Sequence, residues 1–315
     1  MQVSRVPGTN LACLRGEALP FEIELQGIDA STLQQLLKGQ GVVGRWAGEV
    51  GRVTVAAMTP ETPDSRAPFT HRFADGTTVL RSGCAAHVDL EANMQAPEYL
   101  LPPALNLALA QQWARLGLMA LHAAAIKVAD RQVLVLGPKA SGKSTLCLAA
   151  LVAGGQILSD DLLLLGLDGA GQPVGERLRQ FMMVRDCWAS EQLQQRGCGL
   201  EFQRSGARPK QVLPMDLRQQ AFVPTLAINE IWVMARPRGG RTAISEKHPV
   251  RDEEVLVQLI KAAMPLLFST RFPLEHAALM TTAQGLIKAC PAYRVHTGTD
   301  LVEQPAITLE RLAVI

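Results

Sequence analysis

Between an apolar run, Val133 to Leu136, and a helix-forming run, Ser144 to Val152, the chain carries Gly137-Pro138-Lys139-Ala140-Ser141-Gly142-Lys143-Ser144-Thr145. Gly-x4-Gly-Lys-Ser in a strand, loop, helix setting is the phosphate-binding loop pattern. Each residue type has its own reason. Glycines at positions 137 and 142 let the backbone turn closely around phosphate oxygens. Lys143 reaches the outer phosphates, and the Ser144 hydroxyl suits a magnesium ion. The first amides of the helix, which includes Thr145, face the same anion. Residues 137 to 145 are therefore the expected nucleotide-binding set, with ATP and Mg2+ as the expected cofactors. A bare glycine-containing turn is the alternative; the apolar strand before it and the helix after it favour the phosphate loop.

Such a loop needs a sheet and a core around it. At 315 residues, 48% hydrophobic and 19% charged, the chain is long enough to bury one. The net charge of +2 comes without a basic run or basic-aromatic alternation, so no nucleic-acid partner is expected. Leu105 to Ala125 is apolar but contains Gln111, Gln112, Arg115 and His122, which fits a packed segment better than a membrane span. Six cysteines are widely spaced with no Cys-x-x-Cys pair, so neither zinc nor a disulfide framework is expected. Reduced thiols and no apolar leader at the N-terminus give a cytoplasmic expectation.

The expected fold class is α/β: a P-loop core with a mixed sheet, preceded by a small α+β layer. Residues 1–95 form the expected N-terminal domain and 96–315 the expected catalytic domain. In the first, Phe21 to Leu25 alternates, Ala30 to Lys38 reads as a short helix, and Val42 to Ala57 as paired strands. Asp75-Gly76 between His71–Phe73 and Thr77–Leu80 is a hairpin signal. In the second, Leu105 to Leu118 reads as a helix, and Leu121 to Val128 as a strand that forms a hairpin with Gln132 to Leu136. Farther on, Ala227 to Met234 reads as a strand, Asp252 to Ala263 and Leu274 to Ala289 as helices, and Tyr293 to Val295 and Ile307 to Leu309 as short strands.

Gln156 to Leu165, QILSDDLLLL, reads as a strand with Asp160 and Asp161 inside an apolar run. Carboxylates in such a run lie at an exposed end, are hydrogen-bonded, or face a cation. A turn at a strand edge is one account of them. The other follows from the loop: a strand returning after the loop's helix can lie beside the loop strand and bring the pair to the same edge. Neighbouring side chains on a strand point oppositely, so one carboxylate would bind metal and the other accept the proton of an incoming hydroxyl. His122 titrates near neutrality and sits on the element next to the loop strand, where it is either structural or part of the site.

The span LHAAAIKVADRQVLVLGPKASGKSTLCLAALVAGGQILSDDLLLL resembles the catalytic domain of the HPr kinase/phosphorylase family, whose core is related to phosphoenolpyruvate carboxykinases. The resemblance covers about residues 115 to 166 specifically and reaches the C-terminus more loosely. It implies that Lys143 contacts phosphates, Ser144 and Asp161 hold magnesium, Asp160 is the general base, and His122 lies near the transferred group. It does not extend to the basic signature segment linked to phosphorolysis. Arg204, Arg208 and Lys210, like Arg185, are either substrate contacts or solvated. The function implied is an ATP-dependent kinase acting on a hydroxyl of a small metabolite, peptide or protein, with homo-oligomerisation open. The alternative is a nucleotide-binding regulatory or assembly protein with no acceptor.

Overall fold

The computed structural model describes the backbone of the strands between residues 2 and 90, helical positions 107, 110, 111, 113 and 114, and residues 117–178, 181–184, 188–195, 201–203, 210–215, 220–235, 244–263 and 273–314. The chain divides into two compact units, Met1–Leu116 and Gly117–Ile315.

In the first unit, β1 (Gln2–Arg5), β2 (Ala12–Gly16), β3 (Leu19–Gln26), β4 (Gly51–Ala57), β5 (Phe69–Arg72), β6 (Thr78–Ser82) and β7 (Ala85–Leu90) form one sheet. Its order is β1-β2-β3-β4-β7-β6-β5, antiparallel throughout. The strand expected around Phe21 is β3, and the expected hairpin is the β5/β6 pair, with Phe69 opposite Arg81. The expected helix at 30–38 and the first half of the 42–57 strand pair lie outside the described residues.

The second unit is a mixed α/β fold. It contains β8 (Met119–Leu121), β9 (Ala124–Val128), β10 (Arg131–Leu136), α1 (Lys143–Val152), β11 (Gln156–Ser159), β12 (Leu163–Leu167), β13 (Pro173–Arg177) and β14 (Phe181–Val184). After these come α2 (Ser190–Gln195), β15 (Glu201–Gln203), β16 (Lys210–Pro214), β17 (Thr225–Ala227), β18 (Glu230–Met234) and β19 (Glu246–Pro249). The chain closes with α3 (Asp252–Ala262), α4 (Pro273–Ala289), β20 (Ala292–His296), α5 (Asp300–Glu303) and α6 (Pro305–Val314). Three sheets result: a six-stranded sheet β11-β9-β10-β18-β20-β19, a four-stranded sheet β17-β13-β12-β8 and a three-stranded sheet β14-β16-β15.

The six-stranded sheet is mixed. β10, β18 and β20 run parallel, while β9, β11 and β19 are antiparallel to their neighbours. Its central strand β18 is buried at every position, as a strand covered on both faces must be. On one face Val133, Val135, Trp232 and Met234 pack with Leu146 to Leu151 of α1 and with Leu309 and Leu312 of α6. On the other side of the unit α3 touches β10, and α4 reaches β12 and β13.

Helix α1 is short because Gly154-Gly155 stops it. Gly154 takes φ 87°, its N–H bonds the Leu151 carbonyl at 3.1 Å, and the Gly155 N–H bonds that of Ala150 at 2.8 Å. This is a Schellman closure, and it satisfies two of the last carbonyls of the helix. A Cβ on Gly155 would lie 2.5 Å from the Lys127 carbonyl oxygen of β9, so glycine is also what lets the chain re-enter the sheet so closely.

Five expectations are corrected. Gln156 to Leu165 is not one strand: β11 belongs to the six-stranded sheet and β12 to the four-stranded one. Nor does β11 lie beside the loop strand, because β9 intervenes. Leu121 to Val128 is likewise interrupted at His122-Ala123, and Ala227 to Met234 at Ile228-Asn229. Ile307 to Leu309 is helical within α6; Pro305 occupies the first helical position, where its missing N–H is no loss.

Candidate functional site

β10 ends at Leu136 and the chain turns through residues 137–142 into α1. Gly137 takes φ 152° and Gly142 φ 99°, and Ala140 between them is left-handed at 64°. A Cβ on Gly137 would meet the Met234 Cβ at 2.8 Å and its carbonyl oxygen at 2.9 Å, so the loop is pressed directly onto the end of β18. The Ser141 N–H closes a tight turn onto the Pro138 carbonyl at 3.2 Å. Pro138, Lys139 and Ala140 are exposed at the crest of the loop, while Ser141 is buried beneath it.

Lys143, buried, curls back over this loop: its Nζ donates to the Gly137 carbonyl at 2.7 Å and to the Pro138 carbonyl at 3.2 Å. Burial pulls its ammonium below the ordinary lysine range, and the fields of Cys147 and Asp160 oppose that pull. Cys147, one turn further along α1, is a buried free thiol that desolvation and Asp160 push well above the usual range. It is an inert wall of the site, since the nucleophilic form of a cysteine is the thiolate.

The acidic pair stands where two strands change sheet together. β9 pairs with β11 (Ile126 opposite Ile157), and β8 pairs with β12 (Leu121 opposite Leu163). Segments 119–128 and 156–167 thus run antiparallel through both sheets, and each bends between them, one at His122-Ala123 and the other at Asp160 to Leu162. Corners of this kind are made by bends or bulges, and the β9/β11 ladder shifts register between Ile157 and Ser159. Ser159 fixes the bend. Its Oγ accepts from the backbone N–H groups of Asp161 (3.3 Å) and Leu162 (3.1 Å) and donates to the Leu162 carbonyl (2.9 Å). The His122 N–H donates to the Ala262 carbonyl at the end of α3, at 2.7 Å.

The bend separates the two carboxylates. Asp160 is 5% exposed, and its Oδ2 accepts from the Ser144 hydroxyl of α1 at 3.4 Å. Asp161 turns the other way, with its Oδ1 2.8 Å from His122 Nδ1; their side chains are 22% and 54% exposed. The fold therefore brings together Lys143, Ser144 and Asp160 on the loop side, and His122 and Asp161 on the open side. Arg185, Arg204 and Arg208, and the side chain of Lys210, lie outside the described residues.

Sequence reasoning missed two residues that border the loop. Met234, at the end of β18, lies under both glycines. Thr297, just past β20, has its Oγ1 3.5 Å from where a Cβ on Gly142 would be. The available signal was topological, since ligands in open α/β sheets bind beyond the carboxyl ends of parallel strands.

No helix among the described residues is long and apolar enough to cross a membrane. No family model matches the sequence, and no curated protein matches it. Among solved structures, the Hpr(Ser) kinase/phosphatase from Coxiella burnetii is similar over 62% of this chain and 97% of that chain, at 14% sequence identity and a TM-score of 0.29.

Proposed function

We propose that the chain is a kinase that moves the γ-phosphoryl group of ATP to a hydroxyl of a small metabolite, a peptide or a protein. What carries the reading is the bend between β11 and β12, after the Lys143 loop and helix, at which Asp160 meets Ser144 and Asp161 meets His122. Phosphoryl transfer needs fixed positive charge on the phosphates and a base at the incoming hydroxyl, and little other chemistry from the protein. The P-loop reading of residues 137–145 rests on the glycine conformations and on Lys143 spanning the loop.

Ser144 and Asp160 offer two hard oxygen donors within 3.4 Å of each other, and no group of three His, Cys, Asp or Glu side chains gathers among the described residues. One carboxylate, one hydroxyl and phosphate oxygens make a donor set that fits magnesium. When bound there, the ion would supply positive charge against the phosphate oxygens. Lys143 would exchange its bonds to the loop carbonyls for bonds to the outer phosphates.

Geometry favours exchanging the roles that the resemblance gives to the acidic pair. Asp160 is the buried carboxylate against the loop hydroxyl, which suits the metal side, whereas Asp161 is the accessible one, where an acceptor could reach it. Asp161 then takes the proton of the acceptor hydroxyl as that oxygen bonds to the γ-phosphorus. The bond from phosphorus to the β–γ bridging oxygen breaks, and ADP leaves. His122, with Nδ1 as donor, holds the Asp161 carboxylate in orientation.

Two variants test this. D161N is expected to bind magnesium-ADP like the wild type and to lose acceptor-dependent turnover by about two orders of magnitude or more. D160N is expected to weaken the magnesium-dependent part of nucleotide binding by about ten-fold or more. Calorimetry reads the binding, and mass spectrometry of phosphorylated product across a panel of acceptors reads the turnover. Loss of turnover in D160N with binding intact, and its retention in D161N, would return the base to Asp160. Nucleotide binding that changes oligomer size without phosphorylating any acceptor would make the chain a regulatory or assembly protein instead.

A further inference from the structure

β10, β18 and β20 run parallel, so their carboxyl ends share one edge of the sheet. At that edge β10 passes into the glycine loop and β20 into Thr297-Gly298-Thr299. The second turn is held firmly. The Gly298 N–H donates to Ser245 Oγ at 2.9 Å, and the Ser245 N–H reaches both Asp300 carboxylate oxygens at 3.0 Å. The Ser245 hydroxyl donates to Asp300 Oδ1 at 2.6 Å, and Arg311 of α6 pairs with Asp300 and also donates to the Ser245 carbonyl at 3.3 Å. Gly298 has no room for a side chain: a Cβ there would lie 2.7 Å from the Ile244 carbonyl carbon and 2.8 Å from Asp300 Oδ1.

This network holds the turn that carries Thr297, a residue bordering the glycine loop. Thr297 Oγ1 stands 3.5 Å from the Cβ position of Gly142, the residue that heads α1. Among the described residues no hydrogen bond occupies its hydroxyl, although Thr297 is half-buried. A hydroxyl rotates to present its hydrogen to whatever acceptor lies beside it. What the start of a helix gathers is an anion.

We propose that Thr297 is a phosphate-binding residue whose hydroxyl donates to an oxygen of the di- or triphosphate held by residues 137–145. The proposal rests on the nucleotide reading above and adds to it a contact from a turn far away in sequence. A threonine there completes the cradle from the β20 side.

The test measures ADP and inorganic pyrophosphate binding by calorimetry in the wild type, T297V and T297S. T297V keeps the shape and removes the donor, so both ligands are expected to weaken about ten-fold, the size of one hydrogen bond to a charged group. T297S restores the donor and is expected to bind both within about two-fold of the wild type. Three results overturn the proposal while leaving the nucleotide site standing: T297V binding like the wild type, T297S losing as much as T297V, or T297V weakening ADP but not pyrophosphate. A wild type that binds neither ligand overturns the nucleotide reading and this proposal with it.

Discussion

Gly137 and Gly142 both take positive φ, yet a methyl group at each meets a different obstacle. At Gly137 the added Cβ would collide with the Met234 Cβ and carbonyl oxygen, neither of which can swing away; at Gly142 its nearest neighbours are side-chain atoms at 3.5 and 3.6 Å. G142A therefore carries backbone strain alone, about 1–2 kcal/mol. G137A adds displacement of β18 and is expected to destabilise by more than that and to abolish ADP binding. Urea denaturation and calorimetry on the two variants check the ranking, and equal losses would contradict it. The loop was legible in the sequence because its requirements are local: glycine where φ is positive, lysine and serine at the head of a helix. The acidic pair was legible as an anomaly, charge inside an apolar run. The directions taken by the Asp160 and Asp161 side chains, one to Ser144 and the other to His122, were not, because they depend on a bend set by the Ser159 hydroxyl and by partners near residue 120.

At the scale of elements, α6 shows how distant residues decide a local state. Lys247 Nζ donates to the Leu312 carbonyl at 2.9 Å and Arg131 Nε to that of Ala313 at 3.0 Å, so two cations from β19 and β10 sit at the C-terminus of the helix. Cations there are favoured by the helix dipole. Lys247 is itself fully buried, 2.5 Å from Glu230 Oε1 and over the Tyr293 ring, and Glu230 also accepts from the Trp232 indole N–H. Removing one member of a buried pair strands the other. K247M is expected to lose about 3–5 kcal/mol in chemical denaturation, and K247M/E230L clearly less than the sum of its single variants. Additive losses would mean that the pair is not coupled. Read alone, Ile307 to Leu309 passes for a strand; the cations that meet the end of the helix lie far from it in sequence. The helices α1, α3 and α4 were legible since their stop signals or apolar spacing lie within the segments themselves.

Across the whole molecule the charged groups set how stability responds to acid. Burial pushes the Asp300 carboxyl upward, but hydrogen bonds from the Ser245 hydroxyl and amide and the nearby Arg311 outweigh it, leaving the group below its ordinary 3.8. A carboxyl depressed by folding contributes stability that is present above its unfolded value and is lost as pH falls through the folded one. The wild type is therefore expected to lose that contribution as pH drops below 3.8, and D300N to be less stable at neutrality with a flatter acid limb, as read by urea midpoints across pH. Parallel acid limbs in the two proteins would refute the assignment. The loop, the acidic bend and Thr297 all belong to the unit from Gly117 onward. Within it, the paired bends that join the two sheets impose a rule on spacing rather than on identity. Two residues separate β8 from β9 and three separate β11 from β12. Adding or deleting one residue at either place would turn every later side chain of that strand inside out. The number of links at the bends thus decides which face each later side chain takes, and the residues that occupy the bends decide the chemistry found there.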